Sequence, residues 1–149
     1  MNKKSTLGKS SLVIRELGTR DMTNIEVIQE LYRAFREEDY GAFTDICTTD
    51  IEWIQNEGFP SGATYRGASS VVEGVFKAFN YDWEYFSFDI EQYLDAGDSI
   101  IVIGSYVGKH RKSTKLVRAG TAHVFELHDG KVLRFRQFTD TKVIWDAMS

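Results

Sequence analysis

The residues best suited to chemistry lie near the C-terminal end, in AHVFELHDGKVLRFRQFTDT, residues 122–141. This stretch reads as two strands around Asp129-Gly130, a dipeptide that favours a tight hairpin turn. Side chains alternate along a strand. His123 and Phe125 therefore share one face of the first strand, and Val132, Arg134, Arg136, Phe138 and Asp140 share one face of the second. An imidazole and a carboxylate in line with Phe125, Val132 and Phe138 suit a face that is part core and part cavity. The pattern predicts that His123, Arg136, Phe138 and Asp140 line one pocket.

Two readings of Asp140 stand side by side. At the end of an inward row it is a general acid/base, tuned by aromatic neighbours and by Arg136. Directly before Thr141 it is the N-cap of a terminal helix, which needs only surface chemistry. His123 is either the acid/base partner, a hydrogen-bonding group for a ligand carbonyl, or a satisfied structural histidine. Arg136 either orients Asp140, binds an anionic group or stays in solvent. Tyr32 and Tyr106 are further candidates to stabilise an enolate oxygen. Trp53, Tyr32 and Phe35 wall the pocket or belong to the core, and Tyr65 with Arg66, in ATYRG, is placed to close its mouth.

The elements that must position these groups follow from periodicity. Thr23 and Glu26 form a capping-box pattern, and Ile28, Leu31, Tyr32 and Phe35 recur at helical spacing. Asp39 caps a second, short helix carrying Ala42, Phe43 and Ile46, which TTD at 48–50 ends. IEWIQ (51–55) is a short strand. NEGFPSGATYRGASS, with the only proline, is a loop, and Val71, Val72, Val75, Phe76 and Phe79 mark a third helix. The period then changes to 2, predicting long strands over 83–95, 99–110, 116–127 and 131–139 and a short terminal helix at Val143, Ile144 and Ala147. This order predicts an α+β fold in which a strongly curved, mostly antiparallel sheet packs on three helices and leaves an open cone. Both faces of the last strand are mixed, so a second subunit is expected to cover the outer sheet face.

Composition bounds the alternatives. A chain of 149 residues fits one domain, expected over 23–149 after a flexible leader at 1–22. Three Trp, seven Tyr and ten Phe are enough to wall a cavity as well as fill a core. The net charge of −4 gives no basic stripe, so no nucleic acid is expected, and KHRKSTK (109–115) reads as a solvated turn. The single Cys47 favours a reducing, cytoplasmic setting, and no run is long and apolar enough for a membrane span. His123 and His128 point to opposite faces, which argues against a three-histidine metal site. GASSVVEG has no nucleophile elbow, and no phosphate loop follows a strand.

With these residues in place, the chain resembles the SnoaL-like group of the NTF2-like superfamily, which includes polyketide cyclases and relatives of ketosteroid isomerase. The resemblance covers about residues 23–148. It rests on the block at 122–141, the TYRG loop and the W of IEW. It implies an NTF2-like cone, commonly dimeric through the outer sheet face, with no cofactor and no metal. Asp140 would match the acidic residue that such cyclases use as general acid/base, and His123 a histidine of the pocket. Tyr32 would fall where ketosteroid isomerase relatives place a donor tyrosine, although no carboxylate here matches their base. The expected function is a pocket for a small hydrophobic or carbonyl-bearing ligand, either a cofactor-independent cyclase, isomerase or dehydratase, or a binding or dimerisation module without turnover.

Overall fold

A computed structural model describes residues 21–149. The leader expected at 1–22 lies outside them except for Asp21 and Met22, and Met22 packs against the core. Helix α1 (Asn24–Arg36) opens with the capping box, in which Thr23 Oγ1 accepts from the Glu26 amide at 3.1 Å and Glu26 Oε1 from the Thr23 amide at 2.9 Å. It buries Val27, Ile28, Leu31 and Tyr32. Asp39 caps α2 (Tyr40–Ile46). Helix α3 runs as Ala68–Val71, widens to a π-turn over Val72–Phe76, and ends as Lys77–Asp82. Helix α4 (Thr141–Met148) ends the chain.

Six strands follow the order β2-β1-β6-β5-β4-β3: β1 (Cys47–Gln55), β2 (Ala63–Arg66), β3 (Trp83–Asp95), β4 (Ser99–His110), β5 (Leu116–His128) and β6 (Lys131–Thr139). All neighbours are antiparallel except β1 with β6. Two expectations need correction. Cys47–Asp50 continues β1 rather than ending a helix, and the loop before α3 contains β2, held by pairing with β1. The fourth helix is also part of the fold: Ile144 and Ala147 pack with Trp83, Tyr106, Val117 and Ala119 in a second core beside the main one.

The curl of the sheet has local causes. In β3 the pairing with β4 slips between Trp83 and Tyr85 and again between Ile90 and Gln92, so Glu84 and Glu91 are extra residues. Each such bulge bends the strand and restores the apolar parity. Trp83, Phe86, Phe88, Ile90 and Tyr93 thereby stay on the inner side, at least partly buried. Gly104 of β4 sits under the bend, where an added Cβ would collide with the Asp89 carbonyl. A third bulge lies in the β5–β6 hairpin. The turn is tight, with φ 52° at Asp129 and 75° at Gly130, and pairs His128 with Lys131 and Leu127 with Val132. Beyond it Glu126 faces Arg134, leaving Leu133 as the extra residue.

No helix among the described residues is long and apolar enough to cross a membrane.

Candidate functional site

The Leu133 bulge decides which side chains of β6 enter the cone. In an unbroken hairpin His123 would stand opposite Arg136; it pairs instead with Gln137. Val132 points inward before the bulge, and Phe135 and Gln137 do so after it. Arg136 and Phe138 are turned to the outer face, where Phe138 is 49% exposed and the Arg136 guanidinium lies 5.7 Å from its ring centroid. Asp140 is exposed, and its carboxylate accepts from the Val143 amide at 3.2 Å as the N-cap of α4. The expectation that Arg136, Phe138 and Asp140 share a pocket with His123 is therefore corrected. A one-residue slip moves every following side chain to the opposite face.

His123 does face inward, 5% exposed, into a chamber where the two cores meet. Tyr32, Phe35, Trp53, Tyr106 and Phe125 line this chamber with it. Phe79, Phe86, Phe88, Phe135, Gln55 and Ser87 also line it and were not singled out by the sequence. The cavity volume is about 50 Å³. Tyr65 is not part of the wall. Its ring packs on Gly74 of the π-turn, and its hydroxyl donates to the Ser61 carbonyl at 2.8 Å, so it braces α3 against β2.

A second, more polar hollow shares Tyr32, Phe35, Phe76, Phe86, Ser87 and Phe88 with the chamber and adds Arg36, Glu38, Tyr40 and Asn80. It adjoins the chamber as a vestibule. Asn80 Nδ2 donates to Glu38 Oε2 at 3.2 Å across it, tying the end of α3 to the end of α1.

Tyr32, His123, Tyr106 and Gln137 form one relay along the chamber wall. Tyr32 Oη lies 2.7 Å from His123 Nδ1, and Tyr106 Oη lies 2.7 Å from His123 Nε2. Gln137 Nε2 donates to Tyr106 Oη at 2.8 Å, and Gln137 Oε1 accepts from the Asn56 amide at 2.9 Å. Asn56 is held in turn, its Oδ1 accepting from the Thr139 amide at 3.0 Å. Aromatic rings pack around the imidazole, with the Phe88 centroid at 4.3 Å and that of Phe135 at 4.9 Å. Burial consequently drives the His123 pKa down to about 3, so the ring is neutral at neutral pH. Burial also holds both phenols protonated: Tyr32 well above its ordinary value, and Tyr106 above it despite the opposing pull of the Gln137 bond.

A proton count shows what the relay offers. A neutral imidazole has one N–H and one acceptor nitrogen, and each phenol has one O–H. The two bonds linking Tyr32, His123 and Tyr106 use two of these three protons. One phenolic proton thus has no acceptor among the described residues, in a wall that is mostly apolar. Among the described residues the chamber lining contains no Asp, Glu, Lys or Arg. No group of three or more His, Cys, Asp or Glu among the described residues is placed to hold a metal ion. Cys47 is buried, and burial pushes its thiol up to about 12, so it is not a nucleophile.

The SnoaL-like domain family matches residues 28–135. Among solved structures, an NTF2-like protein of Burkholderia thailandensis is 34% identical, over 85% of this chain and 98% of that one, with a TM-score of 0.81. A putative SnoaL-like polyketide cyclase of Jannaschia is 19% identical over 85% of this chain and 91% of its own, with a TM-score of 0.74. TerC, co-crystallised with polyporic acid, is 23% identical over 84% and 97%, also with a TM-score of 0.74. No curated protein matches the sequence.

Proposed function

We propose that this chain, which belongs to the SnoaL-like domain family of NTF2-like proteins, binds a small and largely apolar molecule by one oxygen acceptor. A carbonyl suits the site best. The unused phenolic proton of the Tyr32–His123–Tyr106 relay carries the reading. A donor held by a neutral, buried imidazole is aimed before the ligand arrives, and in an apolar chamber its bond is worth more than in water. TerC, with its co-crystallised polyporic acid, is consistent with a small molecule in this fold.

The same donor polarises a carbonyl, which is the first requirement of an isomerase- or cyclase-type step. The second requirement is a base. Among the described residues the lining supplies only His123, and both its nitrogens are engaged, so turnover requires one of its two bonds to open. Asp140, facing outward as a helix cap, is not assigned that role. Binding is therefore the better-supported function.

On the outer face, Ile103, Ala122 and Phe138 lie side by side across three strands, next to Ile101 and Val124. A second copy of the chain is the proposed cover, and a monomer in light scattering at micromolar concentration would overturn it.

Acetophenone and ethylbenzene, nearly equal in shape, separate hydrogen bonding from simple burial. An NMR titration should find the ketone bound about 3- to 10-fold more tightly, the range expected of one net hydrogen bond. Equal affinities would sink the carbonyl reading, and no binding of either would sink the pocket assignment.

A further inference from the structure

The relay has a direction, and the structure assigns its control to Gln137: this residue fixes the tautomer of His123 and so makes Tyr32, rather than Tyr106, the phenol that meets a ligand with a free proton. The inference rests on the binding reading above and adds to it which phenol takes the ligand oxygen, and what positions that phenol.

The direction is set at the end farthest from the vestibule. A backbone amide can only donate, so the Gln137 atom 2.9 Å from the Asn56 nitrogen must be the carbonyl oxygen. The amide is thereby locked, and its NH2 faces Tyr106 Oη at 2.8 Å. Gln137 is only 2% exposed, so water does not compete for that group. Tyr106 must accept from it. The Tyr106 proton then has one remaining partner, His123 Nε2 at 2.7 Å, and that nitrogen must present its lone pair. The imidazole proton consequently sits on Nδ1 and is donated to Tyr32 Oη at 2.7 Å. Donors run head to tail from the Asn56 amide to Tyr32, an order in which each bond polarises the next.

The opposite tautomer is poorer. With the proton on Nε2, Tyr106 would accept from both Gln137 and His123, and the phenolic proton left without an acceptor among the described residues would be that of Tyr106, in the chamber wall, instead of that of Tyr32, beside the vestibule. Tyr106 lines the chamber and not the vestibule, whereas Tyr32 lines both. The free donor is thus placed where an entering ligand meets the wall. Gln137 touches no ligand in this scheme and is a positioning residue.

The tautomer can be read directly by two-bond 1H–15N correlation on 15N-histidine-labelled protein at pH 7.5, with His123 assigned through the H123Q variant. The wild type should show the proton on Nδ1; a proton on Nε2 overturns the inference whatever any variant does. Gln137→Met keeps the volume and removes the donor. It should give a mixture of tautomers near one to one, and about twofold weaker acetophenone binding because only part of the population is competent. A folded Gln137→Met protein that keeps a pure Nδ1 proton would also overturn the inference, since packing alone would then be setting the tautomer. If the variant fails to fold, the wild-type spectrum still decides. An Nδ1 proton without acetophenone binding would remove the binding reading alone.

Discussion

The two faces of the β5–β6 hairpin differ more sharply than any other pair of regions in the molecule. The inner face carries His123, Phe125, Phe135 and Gln137, all buried, and His123 and Gln137 are joined to Tyr32 and Tyr106 in a neutral relay. The outer face carries Arg134, Arg136 and Phe138, with Arg134 bridging Glu52 at 2.8 Å and Glu126 at 3.1 Å in solvent. Asp140 follows on the exposed side. The inner polar groups are satisfied by geometry and are sensitive to any change of partner. The outer ones are screened and individually cheap to lose. A residue type suited to catalysis therefore says little until its face is known, and here the face is decided by the single extra residue Leu133.

The largest effect should come from shifting the register of β6 beyond that residue. Insertion of one residue between Arg134 and Phe135 would bring Arg136 opposite His123 and turn Phe135 and Gln137 outward, whereas deletion of Leu133 would remove the bulge and keep the present pairing. The insertion would bury an unpaired guanidinium and expose a ring stacked on Trp53 at 3.8 Å between centroids. The cost should exceed the roughly 5–15 kcal/mol that holds a domain together. Circular dichroism should show no cooperative melt; a folded insertion variant would mean the register does not set the faces. Next in size is the contrast between two phenylalanines three positions apart. Phe135→Ala should cost about 3–5 kcal/mol in chemical denaturation, and Phe138→Ala, on the isolated chain, within about 0.5 kcal/mol. Similar losses at the two positions would erase the distinction between the faces.

Much of this fold is visible in the sequence because it is carried by repeated local signals. The long strands at Trp83–Asp95, Ser99–His110 and Lys131–Thr139 have the predicted bounds, and β5 runs one residue beyond its own. The capping box at Thr23 and Glu26 forms as its spacing predicts. What escapes is information that resides in partners. Strand β2 has four residues in a Gly-rich loop and exists only because β1 pairs with it. Bulges at Glu84, Glu91 and Leu133 have no residue signature, so alternation cannot be counted across them. One clue to the β6 faces was present: after Leu133, one candidate row holds Phe135 and Gln137, and the other holds two arginines. Burying Phe and Gln is cheaper than burying Arg134 and Arg136. His123 was recoverable as an inward residue, whereas Gln137 was not, because its role depends on a register shift and on the Asn56 amide.

The inner face should also show itself in the pH dependence of stability. The His123 pKa falls from an unfolded value near 6.5 to about 3 in the fold. Below about pH 6.5 the unfolded chain binds a proton that the folded chain refuses, so stability falls as pH drops through this window. The slope from this one group is about 1.4 kcal/mol per pH unit, or roughly 2 kcal/mol between pH 6.5 and 5. The window lies above that of Glu52, whose pKa is lowered by its bonds to Arg134 and Arg66 and whose contribution is lost only as pH falls below the usual carboxylate range. Urea denaturation of wild type and of a His123→Asn variant at pH 7.5 and 5.5 checks this. The variant should lose the acid slope, even if it is less stable throughout. A slope shared by both proteins would place the responsible group elsewhere.

The smallest expected effect falls on the residue whose type first suggests catalysis. Asp140 caps α4 through one bond to the Val143 amide, and its carboxylate is in solvent. Asp140→Asn retains a capping side chain and should change stability by only a few tenths of a kcal/mol. Asp140→Ala removes the cap and should cost about 1 kcal/mol. Neither should alter acetophenone binding, because the chamber wall is built from the opposite face of β6. This contrast has a particular diagnostic value. If Asp140→Asn left the melting temperature unchanged but weakened ligand binding tenfold or abolished a conversion, the carboxylate would have to reach the chamber in a state with α4 displaced. The terminal helix, whose Ile144 and Ala147 pack beside Tyr106, would then be a moving part of the site rather than its fixed end.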